Sequence, residues 1–294
     1  MKILTIAIGL TLSIHAQSSD RFKVIYGEDD RFEPYEVENG ALQNASKAVA
    51  AIISNYSLVT YPDSYELAAI DYGDSARFCE GVPYRGQPKA ARCSSFLIGK
   101  DIVVTAGHCL KTQWDCQTSS FVFDFRSDLL GEKFEPMNRY RIKKTNVYGC
   151  EEILERKLNS QTKEDWAIIK LKRPVTDREF LQTRKFGKVT TREKLALIGF
   201  PSGIPMKIAT NGKLRKDDHE NFFVAEIDAF HVNSGSPVIN EITMDVEGIL
   251  VRGEKDYQHN GFCEDLKICE SGRCRGEDVT KILTLPISKY IQQN

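Results

Sequence analysis

Residues 101–113 read DIVVTAGHCLKTQ. The strongly apolar run Ile102–Val104 breaks at Ala106 and Gly107 into His108 and then Cys109. A histidine beside a cysteine admits several chemistries. It can be a metal ligand, a redox thiol with a proton partner, a buried core pair, or a catalytic base held by a disulfide. The rest of the chain has to supply the missing parts.

The first stretch, MKILTIAIGLTLSIHA over residues 1–16, reads as a signal peptide. Lys2 is the positive n-region, Ile3–Ile14 is the apolar h-region, and Ala16 is the small residue before cleavage. The run is short for a membrane span and is followed by polar residues. No later segment is apolar enough to cross a bilayer, so the mature chain is expected in a secreted or periplasmic location, off the membrane once the signal is cleaved. Export sets how the eight cysteines are read: Cys79, Cys93, Cys109, Cys116, Cys150, Cys263, Cys269 and Cys274. An even number in an oxidising compartment points to disulfides. The cluster Cys263, Cys269, Cys274 lacks the paired spacing of a zinc site, so no metal is expected. Its three cysteines cannot all pair with one another, so at least one reaches a distant element.

With 294 residues, 41% apolar and 28% charged, the chain has room for one large or two small domains with a sizeable core. A net charge of -1 argues against a nucleic-acid or anionic-membrane partner, which calls for a basic excess.

Residues 17–70 differ in character from the rest of the chain. They hold no cysteine, open with a charged, extended stretch, and contain ALQNASKAVAAIISN, whose Ala45, Val49, Ile52 and Ile53 suit one helix face. The segment reads either as an N-terminal extension or pro-segment, or as an ordinary part of one domain. Residues 71–294 are a succession of short strands, among them SSFLIG, DIVVTA, SFVFDFR, DWAIIKLK, LALIGF, NFFVAEIDAF, SPVIN and EGILVRG. They are rich in Val, Ile and Phe and are punctuated by Gly, Pro, Asn and Asp. Helical periodicity is scarce until the last stretch, EDVTKILTLPISKYIQQN, where Pro286 limits any helix to a short piece. Many short strands without intervening helices mean an all-β sandwich or barrel.

A catalytic base needs a carboxylate to orient it and a nucleophile to deprotonate. KEDWAIIKL puts Asp165 at the mouth of an apolar strand. HVNSGSPVIN puts Ser234 between Asn233 and Gly235, just before another strand. A serine among small, flexible residues presents its hydroxyl on a tight turn, where successive backbone N–H groups converge on one spot. TAGHC, DWAIIKL and NSGSPV, in that order, resemble the His, Asp and Ser segments of the chymotrypsin-fold (trypsin-like) serine endopeptidases. The NSGSPV form is closer to the bacterial glutamyl-endopeptidase-like branch than to the DSGGP form. The resemblance spans roughly residues 79–290. It implies two antiparallel six-stranded β-barrels with the site at their junction. It also implies His108 as general base, Asp165 as orienting carboxylate, Ser234 as nucleophile, and a Cys93–Cys109 disulfide stapling the histidine loop. Such chemistry takes a protein or peptide substrate and no cofactor.

Two positions depart from the family pattern. Asn233 stands where many members carry an aspartate that pairs with a freed N-terminal ammonium, and a neutral amide does not form that ion pair. Val232 stands where the family has glycine, at one of the two expected oxyanion donors, Val232 and Ser234. A β-branched residue resists backbone conformations that glycine tolerates, so the hole is expected to be imperfect or to form with substrate. For the substrate pocket, Asp228 lies six residues before Ser234, the position that the resemblance to trypsin-like members implies for selecting a cationic side chain; the alternative is a strand-end residue with a structural partner. Arg252 is expected on one pocket wall; pairing with Asp228 cancels the basic preference, and Arg252 or His231 opens an acidic one. His219, in RKDDHEN, reads as a solvated surface residue. The expectation is an exported serine endopeptidase working through an acyl-enzyme. The rival is a protease-like binding module that kept the fold and lost turnover, and Val232 is the feature that favours it.

Overall fold

The structure, a computed structural model, describes residues 25–131, 133–134, 139–270 and 272–291. The expected signal segment over 1–16 lies outside the described residues. Twelve strands build the frame, six in each half. The first six are β1 (Val49–Ser54), β2 (Ala91–Leu97), β3 (Ile102–Thr105), β4 (Ser119–Phe123), β5 (Val147–Leu158) and β6 (Asp165–Leu171). They close antiparallel in the order β4-β5-β6-β3-β2-β1, with Ser120 paired to Ile53 at the seam. The second six are β7 (Lys194–Gly199), β8 (Lys207–Lys216), β9 (Phe222–Glu226), β10 (Pro237–Asn240), β11 (Val246–Arg252) and β12 (Glu277–Lys281). They run β7-β10-β11-β12-β9-β8 and close through β7–β8. These are the two six-stranded barrels that the resemblance implies.

The barrel staves are near-continuous apolar runs because both of their faces are covered. Every residue of β3 is buried, and in β6 only Lys170 is not. Burying one Val or Ile contributes about 1.5–3 kcal/mol, so such strands carry much of the barrel's stability. The core of the first barrel runs on into Ile198, Phe200, Ile239 and Ile249 of the second half, so the two barrels share one apolar seam. A second core of Leu195, Leu197, Phe223, Val238 and Val279 lies inside the second barrel. Four disulfides join Cys79–Cys263, Cys93–Cys109, Cys116–Cys150 and Cys269–Cys274. One of the three clustered cysteines, Cys263, does reach a distant element.

Three expectations change. The helix expected across 41–55 is α1 (Gly40–Ser46) alone, capped by the Asn39 side chain on the N–H groups of Ala41 and Leu42. The following VAAIIS is strand β1, which pairs with β2 on one side and β4 on the other. Its first five residues are all buried, and an apolar run covered on both faces matches a strand as well as a helix face. The division at 70/71 changes for the same reason. Residues 25–70 are built into the body: β1 is a barrel stave, Ile25–Tyr26 pairs with Ile268–Cys269, and Arg31–Phe32 pairs with Ile208–Ala209. Lastly, the described end of the chain is β12 and two short 3₁₀ turns, Ile282–Thr284 and Ile287–Lys289, on either side of Pro286.

Candidate active site

Strand β3 ends at Thr105 and the chain turns at Ala106–Cys109, closed by the Cys109 N–H on the Ala106 carbonyl at 3.1 Å. Gly107 is required there. A Cβ at this position would lie 2.1 Å from the Lys157 carbonyl oxygen and 2.9 Å from the Trp166 nitrogen. The backbone thus presses onto the β5–β6 hairpin, and Arg156 Nε donates to the Gly107 carbonyl at 2.6 Å. That approach sets His108 over Asp165, the first residue of β6. Asp165 is 2% exposed. Its Oδ1 accepts the His108 backbone N–H at 3.0 Å and its Oδ2 faces His108 Nδ1 at 2.8 Å. One carboxylate therefore fixes both the main chain and the ring of His108. With Nδ1–H donating to Asp165, Nε2 is left with its lone pair. The Asp165 carbonyl in turn accepts the Thr280 hydroxyl at 3.2 Å, which ties β6 to β12 across the barrel junction.

Ser234 sits after a tight turn, Phe230–Asn233, closed by the Asn233 N–H on the Phe230 carbonyl at 3.0 Å. Val232 is the third residue of this turn and has φ +72°. A type II turn calls for positive φ there, and normally for glycine. A β-branched residue held in that region costs on the order of 1–3 kcal/mol. The pairing of the surrounding N–H groups is selective. Asn233 N–H bonds Phe230, Gly235 N–H bonds Leu250, and Ser236 N–H bonds Asn233. The N–H groups of Val232 and Ser234 have no hydrogen-bond partner among the described residues. Gly235, at φ +91°, passes so near β2 that a Cβ would lie 2.0 Å from the Ser94 carbonyl oxygen.

The Ser234 turn meets the His108 loop through β2. Ser94 N–H donates to the Ser234 carbonyl at 2.8 Å, and Cys109 Sγ lies 3.7 Å from the same oxygen. His108 and Asp165 are joined directly. Ser234 is brought beside them through its backbone, without a hydrogen bond from its Oγ to the imidazole among the described residues.

The pocket residues expected from sequence are committed elsewhere. Asp228 is 3% exposed, and its two oxygens accept the N–H groups of Tyr26 and Asp30, each at 2.8 Å. Burial pushes its carboxyl up to about 7, against those two donors. It anchors the N-terminal strand instead of facing a substrate cation. Arg252 does not pair with Asp228. Its Nε donates to Asp278 at 3.0 Å, one terminal nitrogen donates to the Lys163 carbonyl at 3.2 Å, and the other lies 3.7 Å from Asp165 Oδ2. His231 bonds Asp256 through Nδ1 at 2.5 Å. Asn233 is buried, and its side-chain oxygen has no partner among the described residues. His219 stacks on Phe222 at 4.2 Å between ring centroids and is not a free surface side chain. A groove of about 950 Å³ lined by Lys100, Phe180, Arg184, Leu283 and Ile291 contains none of these residues.

Ser94, Ser202 and Asp256 support the site, and no local pattern in the sequence marks them. Ser94 touches Val232 across 138 positions, where the two barrels meet, and Asp256 touches His231 across 25, from the foot of a hairpin tied to Cys79.

The model of the trypsin-like peptidase domain family matches residues 93–249, which carry His108, Asp165 and Ser234. Among solved structures, one of a Glu endopeptidase in complex with MPD superposes with a TM-score of 0.50 at 15% identity, over 90% of this chain and 98% of that one. No curated protein matches the sequence.

Proposed function

The chain belongs to the trypsin-like peptidase domain family, and on that premise we propose that it is an exported serine endopeptidase that cleaves protein or peptide substrates through an acyl-enzyme. Ser234 Oγ attacks the scissile carbonyl while His108 Nε2 takes its proton. Asp165 keeps the imidazole in the right tautomer and stabilises the imidazolium that forms. The N–H groups of Val232 and Ser234 receive the negative charge that develops on the carbonyl oxygen. His108 then returns its proton to the leaving amine, and water, deprotonated by the same ring, hydrolyses the acyl-enzyme.

One observation carries this proposal. In the turn that presents Ser234, the neighbouring N–H groups are bonded while those of Val232 and Ser234 have no partner among the described residues, and the carbonyl of Ser234 lies against the disulfide that adjoins His108. The carboxylate-bonded ring supports the same assignment. Hydrolysis of a panel of peptide and ester substrates by the wild type and by Ser234→Ala tests it. The expected loss is about 10⁶-fold in turnover. Equal rates in the two proteins would remove Ser234 from the mechanism.

The positive φ of Val232 favours a second reading, a binding module without turnover, because strain at an oxyanion donor is easily relieved by turning its peptide away. Tight binding of peptides without hydrolysis by the wild type is the outcome that supports it.

A further inference from the structure

Val232 is held in a conformation that its side chain disfavours, so something outside it must do the holding. The backbone polar groups on either side of the Val232 N–H are engaged, and that N–H itself has no partner among the described residues. The His231 N–H donates to Asp256 Oδ2 at 2.7 Å, and the His231 ring reaches the same oxygen through Nδ1 at 2.5 Å. The His231 carbonyl accepts the Ser202 N–H at 2.7 Å. The Val232 carbonyl accepts the Ser94 hydroxyl at 3.1 Å. Because the peptide is planar and trans, anchoring the His231 carbonyl on Ser202 sends the Val232 N–H to the opposite side. Turning that peptide over breaks the Ser202 bond.

One short segment, Asp256–Tyr257, supplies one of the two anchors on either side of His231 and touches the other. Asp256 takes the His231 N–H, and the next residue, Tyr257, contacts the Ser202 hydroxyl through its own hydroxyl. Ser202 is itself at φ +55° and 1% exposed. The Tyr257 hydroxyl also meets that of Tyr72 at 2.9 Å, and its ring packs on Phe78 at 4.9 Å and Phe230 at 5.8 Å between centroids. Strand Tyr257–His259 pairs with Glu264–Leu266, and the loop between them is tied by Cys263 to Cys79. The segment is thus backed by a stapled hairpin.

We propose that Asp256, with Tyr257 acting through Ser202, is a positioning residue that clamps the Phe230–Asn233 turn and keeps the Val232 N–H aimed for catalysis. The clamp takes the part that glycine's conformational freedom plays elsewhere in such turns. It rests on the proposed peptidase mechanism for its kinetic consequence, though not for its structural one.

The test combines kinetics with a backbone readout. Asp256→Ala is expected to lower kcat about 100-fold with little change in KM, the signature of a lost oxyanion donor. Tyr257→Phe keeps the ring packing, removes only the hydroxyl, and is expected to act in the same direction. Adding Val232→Gly to Asp256→Ala is expected to restore kcat to within about tenfold of the wild type, because glycine holds positive φ unaided. A merely structural role for Asp256 would not be rescued in this way. Spectra of the valine-labelled protein report the Val232 backbone without any turnover, and should show Val232 leaving the positive-φ region in Asp256→Ala. Unchanged kcat and Val232 resonance in both single variants would overturn the clamp, and so would a slow Asp256→Ala that Val232→Gly fails to restore. If the wild type hydrolyses nothing while Asp256→Ala still moves Val232, the clamp stands and the peptidase proposal falls.

Discussion

The Ser94 N–H donates to the carbonyl of Ser234 at 2.8 Å, so a strand of the first barrel holds the turn of the second. The residue before Ser94 is Cys93, bonded to Cys109, and the residue before Cys109 is His108. A short covalent and hydrogen-bonded path therefore links the turn of Ser234 to the histidine loop. Cys93→Ser should lengthen that path. The bridge spans 16 residues, and closing such a loop contributes about 3 kcal/mol in the chain-entropy model. Urea denaturation should show a loss of that order, and kcat should fall more than KM rises as His108 loses its fixed place. A variant of wild-type stability and rate would show that the barrel alone positions the loop.

His108, Asp165 and Ser234 should behave as one unit. Ser234→Ala, His108→Ala and the double variant are expected to lose nearly the same activity, since removing either partner already abolishes the nucleophile. Single-turnover rates of the three proteins check this. Additive losses, with the double variant slower by the product of the single effects, would mean that the two residues act separately.

The N-terminal strand should be needed for folding. Ile25 is fully buried, and Tyr26 and Asp30 supply both N–H donors to the buried Asp228. A protein beginning at Ile25 is expected to fold and act. One beginning at Glu33 leaves the Asp228 carboxylate unpaired in the interior and should be strongly destabilised, measured by its thermal midpoint. Because Asn233 is neutral, acetylating the new terminus of the longer protein should leave its rate unchanged. Equal midpoints for the two proteins would show that the strand is dispensable.

Glu277 gives the stability a pH signature. It is 3% exposed, accepts the Tyr26 hydroxyl at 3.1 Å and the Glu254 N–H at 3.2 Å, and burial pushes its carboxyl from 4.5 up to about 8. In that window the folded protein keeps a proton that the unfolded chain has released, so stability falls as pH rises from about 4.5 to about 8. Glu277→Gln keeps an acceptor at Oε1 and has no proton to lose. The variant should gain on the wild type steadily across that window and hold its advantage above it. Parallel stability–pH curves for the two proteins would contradict this.

The all-β class was legible because strands such as β3 and β11 are rich in β-branched residues, bounded by turn residues and too short for buried helices, while the two-barrel arrangement came only from the resemblance. Three segments in order made legible the residues proposed as the triad. Strand β1 was hidden because VAAII is buried on both faces, and such a run has no period-two alternation to separate it from a helix face. A structural role for Asp228 was one of two readings open from sequence, but its partners were hidden for a different reason. Its partners lie 202 and 198 positions away, and only the pairing of Ile25–Tyr26 with Ile268–Cys269 brings them near. Val232 was legible as an anomaly. Its support was not, because Asp256 lies in a loop whose composition is ordinary and whose reach is set by a hairpin and a distant disulfide.

The measurement closest to the central claim is the site of covalent capture by a fluorophosphonate, which reacts only with an activated serine. The intact wild-type protein, treated and mapped by peptide mass spectrometry, should carry one phosphonyl group on the peptide that contains Ser234. Ser234→Ala should carry none, and His108→Ala should react far more slowly. A wild type that stays unlabelled, or a label that persists in Ser234→Ala, would contradict Ser234 as the nucleophile.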